Sequence, residues 1–396
     1  MRIFPPLIRS CAFLLAVLTA CGSARGAGAS PRNVPVEIPN LIFLQARVNG
    51  SAPLWFVLDS GSTFSFLDQG KAEELGLKTR GHESLTGGGE NPFSVRFAEG
   101  VSLDIGRVKL SHQVLAITPW TRRYDRPVVG IIGAPFFERF VVEIDYRAES
   151  LRLHEPKGYE YRGSGEVLPL EFQERIPAVR LPVAVATRTP VEAKLMVDTG
   201  AGTEGMLLNG PFVTANRLLD PGRGGLEVSQ PAAFGGESPS VLARVRSVNL
   251  GRFVFQNLVT SFSRATTGFG SRADWDGVIG NALLRRFTLI LDYSRKRLIL
   301  EPNDLLDVPT DYDMTGMTLA SREGEFRIER VFSGSRAARA GLRAGDVLVS
   351  LDGRAASRMT LAELCRSFRQ DGSEHLLKIR RNGEEQEVNL QMIRIL

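Results

Sequence analysis

Two acids stand in matching surroundings and could share one task. Asp59 ends the apolar run Leu54-Trp55-Phe56-Val57-Leu58 and is followed by Ser60-Gly61-Ser62; Asp198 ends Leu195-Met196-Val197 and is followed by Thr199-Gly200-Ala201. Such a run reads as a buried strand, and the glycine permits a tight turn that would hold the carboxylate at the strand's end. One Asp-Ser/Thr-Gly is ordinary turn chemistry, because these side chains hydrogen-bond their own backbone. Two copies, each after a buried strand, are more than turn chemistry alone requires, and raise the case in which the two carboxyls are brought together. Like charges held close cannot both ionise cheaply, so they share a proton. One carboxylate can then take a proton from water while its protonated partner serves as acid.

The elements around these acids repeat as well. Gly88-Gly89-Glu90 is echoed by Gly235-Gly236-Glu237, and Leu103-Asp104-Ile105-Gly106-Arg107 by Val248-Asn249-Leu250-Gly251-Arg252. Gly130-Ile131-Ile132-Gly133, followed by the apolar stretch 140–146, is echoed by Gly277-Val278-Ile279-Gly280 and 287–293. The second copy trails the first by 139 residues at the acids and by 145 to 147 at Gly106/Gly251 and Gly133/Gly280. That period is too long for a solenoid and marks a duplicated unit. Short strands separated by Gly-rich turns, with little helical periodicity, predict two all-β lobes.

On these motifs the chain resembles the retropepsin-like aspartic proteases in their duplicated, two-lobed, pepsin-like form, over roughly residues 36–302. The resemblance implies that Asp59 and Asp198 are the catalytic pair and that Ser60, Gly61, Ser62, Thr199, Gly200 and Ala201 support their loops. It further implies that Ile131-Ile132-Gly133 and Val278-Ile279-Gly280 pack behind those loops, and that Gly88, Gly89, Gly235 and Gly236 lie in mobile flaps over the substrate. The pair could form within one chain or between chains, as in single-lobed relatives. Neither a metal nor a cofactor is expected.

After Glu301-Pro302 the composition changes. The pattern from Gly334 to Gly353, with Ala340-Gly341-Leu342-Arg343-Ala344-Gly345-Asp346, an alternating strand and Asp352-Gly353, resembles bacterial PDZ domains over roughly 314–396. In that family a peptide adds as an extra strand, here beside Gly316, Met317, Thr318 and Leu319, with a helix starting near Thr360 as the other wall. A C-terminal peptide is the candidate ligand. Thr318 stands where many relatives carry a second glycine, which favours groove binding over capture of a free C-terminus.

The expected organisation is a signal peptide at 1–20, a flexible tether at 21–35, lobe 1 at 36–160, lobe 2 at 161–302, a linker at 303–313 and the PDZ unit at 314–396. The first segment has Arg2 and Arg9 ahead of an apolar run too short to span a bilayer. Leu18-Thr19-Ala20-Cys21 resembles the bacterial lipobox, so Cys21 is the expected lipidation site and the protein an exported lipoprotein facing the periplasm. Gly22 is not the Asp that marks inner-membrane retention, which points to the outer membrane.

Of the remaining cysteines, Cys11 leaves with the signal. Cys365 lies at helical spacing in Leu361-Ala362-Glu363-Leu364-Cys365, where a small buried hydrophobe is expected. The formal net charge of +5 on 396 residues is small and dispersed among acids, so no nucleic-acid footprint is expected. His82, His112, His154 and His375 are too scattered for a zinc signature, and no Gly-x-Ser-x-Gly elbow occurs. Two functions remain: an aspartic endopeptidase acting on peptide or protein substrates, docked through its PDZ unit, or a silent protease-fold scaffold that binds peptides through that unit. Two intact acids that repel each other favour the enzyme.

Overall fold

The run ahead of Asp59 forms the strand Leu54–Leu58, whose last three residues are buried. Phe56 and Leu58 face the main core, and Val57 faces a second, aromatic cluster on the opposite side. With apolar partners on both faces, a continuous apolar run is what the position requires. The strand pairs in parallel with Val128–Ile132 and antiparallel with Phe43–Val48. The second acid has the same setting. Val191–Val197 pairs in parallel with Gly277–Ile279 and antiparallel with Ile176–Ala184.

After each turn a short strand, Ser65–Asp68 or Met206–Leu208, runs antiparallel to that later partner and parallel to a long strand, Val108–Thr118 or Phe253–Ser263. The computed structural model describes residues 31–393 except 121–123, 125, 186–188, 203–204, 220–224, 309–311 and 323. Within them the fold is mainly β, with two lobes built to one plan.

What fixes the lobes to each other is a shared sheet. Val141–Asp145 of the first pairs antiparallel with Phe287–Asp292 of the second, with Asp145 opposite Thr288 and Val142 opposite Leu291. Outer strands Ser150–His154 and Arg297–Pro302 flank them. Val142, Ile144, Phe287, Leu289 and Leu291 all point into the main core. Burying each contributes about 1.5–3 kcal/mol, an upper estimate against a compact unfolded chain.

Residues 32–35, expected in the tether, instead belong to the strand Arg32–Glu37, which pairs with 150–153 of this sheet. Val34 is buried there, and alternation with Val36 in a polar stretch was the available signal. The expected lipidation site Cys21 and the signal segment lie outside the described residues.

A third sheet holds Met317–Arg322 at one edge, then Glu325–Val331, Val347–Leu351, Glu374–Arg381 and Glu384–Gln391. Helix Leu361–Ser367 packs beside the edge strand, its start fixed by a reciprocal Thr360–Glu363 cap. The core of this unit includes Met314, Ile328, Leu364, Phe368 and Leu377, together with Tyr312 from the expected linker and Val259 from lobe 2. Burial pushes the Cys365 thiol up to about 12, so it stays protonated and unreactive at neutral pH.

Candidate active site

Asp59 and Asp198 leave their strands at equivalent points, each with its backbone N–H held by the parallel neighbour. Asp59 donates to the Ile132 carbonyl and Asp198 to that of Ile279, both at 3.0 Å. The chain then turns, and the carboxylate accepts from the glycine two residues on: Gly61 N–H to Asp59 Oδ1 at 2.8 Å, Gly200 N–H to Asp198 Oδ1 at 2.7 Å. Ala201 adds a bond to Asp198 at 3.1 Å.

The turns interlock through their hydroxyls. The Ser60 N–H donates to Thr199 Oγ1 and the Thr199 N–H to Ser60 Oγ, each at 3.0 Å. In turn, Ser60 Oγ donates to the Val197 carbonyl at 2.7 Å and Thr199 Oγ1 to the Leu58 carbonyl at 2.9 Å. Both residues are fully buried, so every bond replaces water that cannot reach them. A hydroxyl supplies donor and acceptor at once, which is why Ser and Thr fit here.

This lock sets the acids face to face. A Cβ on Gly61 would lie 2.6 Å from Asp198 Cγ, and one on Gly200 2.3 Å from Asp59 Cγ, so each carboxyl rests on the opposite glycine. The two side chains hydrogen-bond to each other, and the Asp198 carboxyl also takes the Gly61 N–H. Burial pushes that carboxyl above the ordinary carboxylate range, against the lowering effect of its hydrogen-bond donors. Such a pair holds one proton between two oxygens that otherwise repel. Ser62 is local by comparison, its hydroxyl donating to Phe64 O at 2.8 Å.

A brace behind the pair was not anticipated from sequence. Asn281, buried at the start of helix Asn281–Leu284, donates through Nδ2 to the Thr199 carbonyl at 2.7 Å, while its Oδ1 accepts from Tyr146 of lobe 1 at 2.7 Å. Burial, reinforced by the nearby Asp198, raises the Tyr146 phenol, which therefore remains a donor. The available signal was asymmetry: Gly280 is followed by Asn281 where Gly133 is followed by Ala134.

The four glycines expected in flaps come together at two hairpin tips. Hairpin Thr79–Thr86 to Pro92–Ile105 carries Gly88 and Gly89 at its tip, and hairpin Leu226–Pro231 to Glu237–Leu250 carries Gly235 and Gly236. Across the tips Gly89 N–H donates to Phe234 O at 3.0 Å, Glu90 N–H to Glu237 O at 3.0 Å and Asn91 N–H to Gly235 O at 2.8 Å. A Cβ on Gly89 would stand 2.3 Å from the Gly235 carbonyl, so backbones this close exclude a side chain. Phe234 crosses from the second hairpin into the aromatic cluster of lobe 1, stacked on Phe93 at 4.5 Å and edge-on to Trp120 at 5.3 Å.

Gly316, Met317, Thr318 and Leu319 lie apart from this pair, at the start of the edge strand of the third sheet. Gly316 has φ 66° and its carbonyl accepts from Phe332 N–H at 2.9 Å. The strand's outer side is an edge of the sheet.

Residues 44–136 match the aspartyl protease family model, and residues 327–381 match that of the PDZ domain. Among solved structures, the aspartic proteinase from Irpex lacteus is similar at 15% identity, over 71% of this chain and 100% of its own, with a TM-score of 0.43. No curated protein matches the chain.

Proposed function

We propose that this chain, in which an aspartyl protease fold is joined to a PDZ domain, is an endopeptidase that activates water between Asp59 and Asp198. The observation that carries the reading is the hydrogen bond between the two carboxyls, each resting on the glycine of the opposite turn. With one proton on the pair, the ionised carboxylate takes a proton from a bound water while the protonated one hydrogen-bonds the scissile carbonyl and then gives up its proton. The attack forms a tetrahedral diol, and its collapse with proton transfer to the amine breaks the peptide bond. The closed flaps would exclude bulk water and hold an extended peptide. The PDZ edge strand would dock protein substrates by strand addition, raising their effective concentration at the cleft.

The test is cleavage of casein or a peptide library from acid to neutral pH. A working pair needs one proton, so the rate should fall where both acids are protonated and again where both ionise. The upward-pushed Asp198 carboxyl moves the second limb above the ordinary carboxylate range. Absence of cleavage at every pH would leave the peptide-binding scaffold as the function.

The same reading includes a location, which rests on the sequence. The mature protein begins at Cys21, carries lipid and sits on the periplasm-facing side of the outer membrane; several acyl chains together anchor durably. Cys21→Ser should block processing or release the protein from membranes on fractionation. A membrane-bound, unlipidated Cys21→Ser protein would refute the anchor.

A further inference from the structure

The third sheet reaches the second flap directly. Arg330, on strand Glu325–Val331, sets its two terminal nitrogens on the two oxygens of Glu237 and also donates to the Ser229 carbonyl. The Ser229 hydroxyl donates to the same Glu237 carboxylate. Ser229 and Glu237 belong to opposite strands of the second hairpin, close to its tip. One guanidinium therefore grips both stems of the flap. The Glu237 carbonyl, meanwhile, accepts the Glu90 N–H of the first flap, so a single residue joins the third unit to the tip-to-tip contact.

An isolated ion pair on a surface would mean little, because exposed pairs are worth little and are screened. This one differs in geometry. A bidentate guanidinium–carboxylate contact fixes orientation as well as distance, which a single-point contact does not. Nearby contacts make the platform firm: Val259 of lobe 2 enters the core of the third unit, and the Arg244 guanidinium lies 6.0 Å from the Tyr312 ring centroid.

We propose that Arg330 is a positioning residue through which the PDZ unit holds the second flap closed over the Asp59–Asp198 pair. The role deepens, and rests on, the reading of the cleft as a proteolytic site. Phe234 packed in the lobe 1 cluster and the interlocked tips make up the closed position of this proposal, in which opening of the contact admits a peptide to the acids. The Arg330 grip makes opening rarer without touching the reacting atoms.

Two readouts on the full-length protein separate the parts of the proposal. The first is hydrogen exchange of segment 87–93, whose Gly89, Glu90 and Asn91 amides donate across the tips. Arg330→Gln should speed it by about fivefold, the order expected for losing a well-oriented pair. The second is steady-state cleavage of a short peptide, where the same variant should lower KM by a similar factor and leave kcat unchanged. The exchanged pair Arg330→Glu with Glu237→Arg should move both readouts back toward wild type, whereas Arg330→Glu alone should not.

Unchanged exchange in Arg330→Gln overturns the proposal, whatever the activity. Faster exchange with unchanged KM, in a protein that does cleave, overturns control of substrate access. Faster exchange reversed by the exchanged pair, in a protein that cleaves nothing, supports flap positioning and refutes only the proteolytic reading.

Discussion

Asparagine at either acid, Asp59→Asn or Asp198→Asn, is expected to lower peptide cleavage by roughly 10³-fold or more while leaving the fold in place. The amide nearly preserves side-chain volume, but it can neither accept the proton of water nor share one with its neighbour. A single variant retaining most of the wild-type rate would mean that the pair does not act as a unit. Stability should respond in the opposite sense. Burial raises the Asp198 carboxyl above its unfolded value, so its contribution to stability is full below about pH 4 and is lost as pH rises through the folded value. Asparagine cannot ionise and escapes that loss. Asp198→Asn should therefore gain in Tm relative to wild type as pH rises from 4 toward neutrality, and thermal melts across that range would expose a flat difference.

The second large effect belongs to the lock between the turns. Thr199→Val removes the acceptor for the Ser60 N–H and the donor for the Leu58 carbonyl, both in a region closed to water. Leaving two buried groups unpaired costs on the order of 2–5 kcal/mol in unfolding free energy. Ser60→Ala strands the Thr199 N–H and the Val197 carbonyl and should cost about as much by the same reasoning. Because both hydroxyls hold the same two turns, the double variant should depart from the sum of the singles. Ser62→Ala, which loses only a bond within its own turn, serves as the control and should cost about 1 kcal/mol or less. Urea unfolding of the four proteins checks this; a Thr199→Val loss no larger than that of Ser62→Ala would refute the lock.

The positions of both acids were legible because each is a local pattern: an apolar strand, an acid, a hydroxyl and a glycine. Repetition at a nearly fixed offset added that the two patterns are equivalent. Equivalence is not contact, however. The echo between 140–146 and 287–293 told nothing of their pairing with each other, which depends on how two finished lobes meet. Nothing in the local sequence of Phe234, beside a turn, or of Arg330, on a strand, names a partner; those partners lie in lobe 1 and lobe 2 respectively. The two Gly-Gly-Glu stretches are a sharper case. Glu90 holds the Thr266 N–H at 2.7 Å, whereas Glu237 holds Arg330 from the third sheet. Matching letters have taken different partners because the two hairpin tips have different neighbours.

The shared sheet also imposes an order on the birth of the molecule. Strand Val141–Asp145 is made early, yet its partner Phe287–Asp292 follows only after nearly the whole second lobe. At ~5–20 residues per second, synthesis leaves that edge unpaired for on the order of ten seconds. Val142 and Ile144 then stand on an open strand of the kind that recruits other chains. Glu143 lies between them, opposite Ile290 in the finished sheet, and its carboxylate bonds to Arg152 and His154 of the neighbouring strand. A charge in the middle of a waiting edge discourages the wrong partner while the right one is still being built.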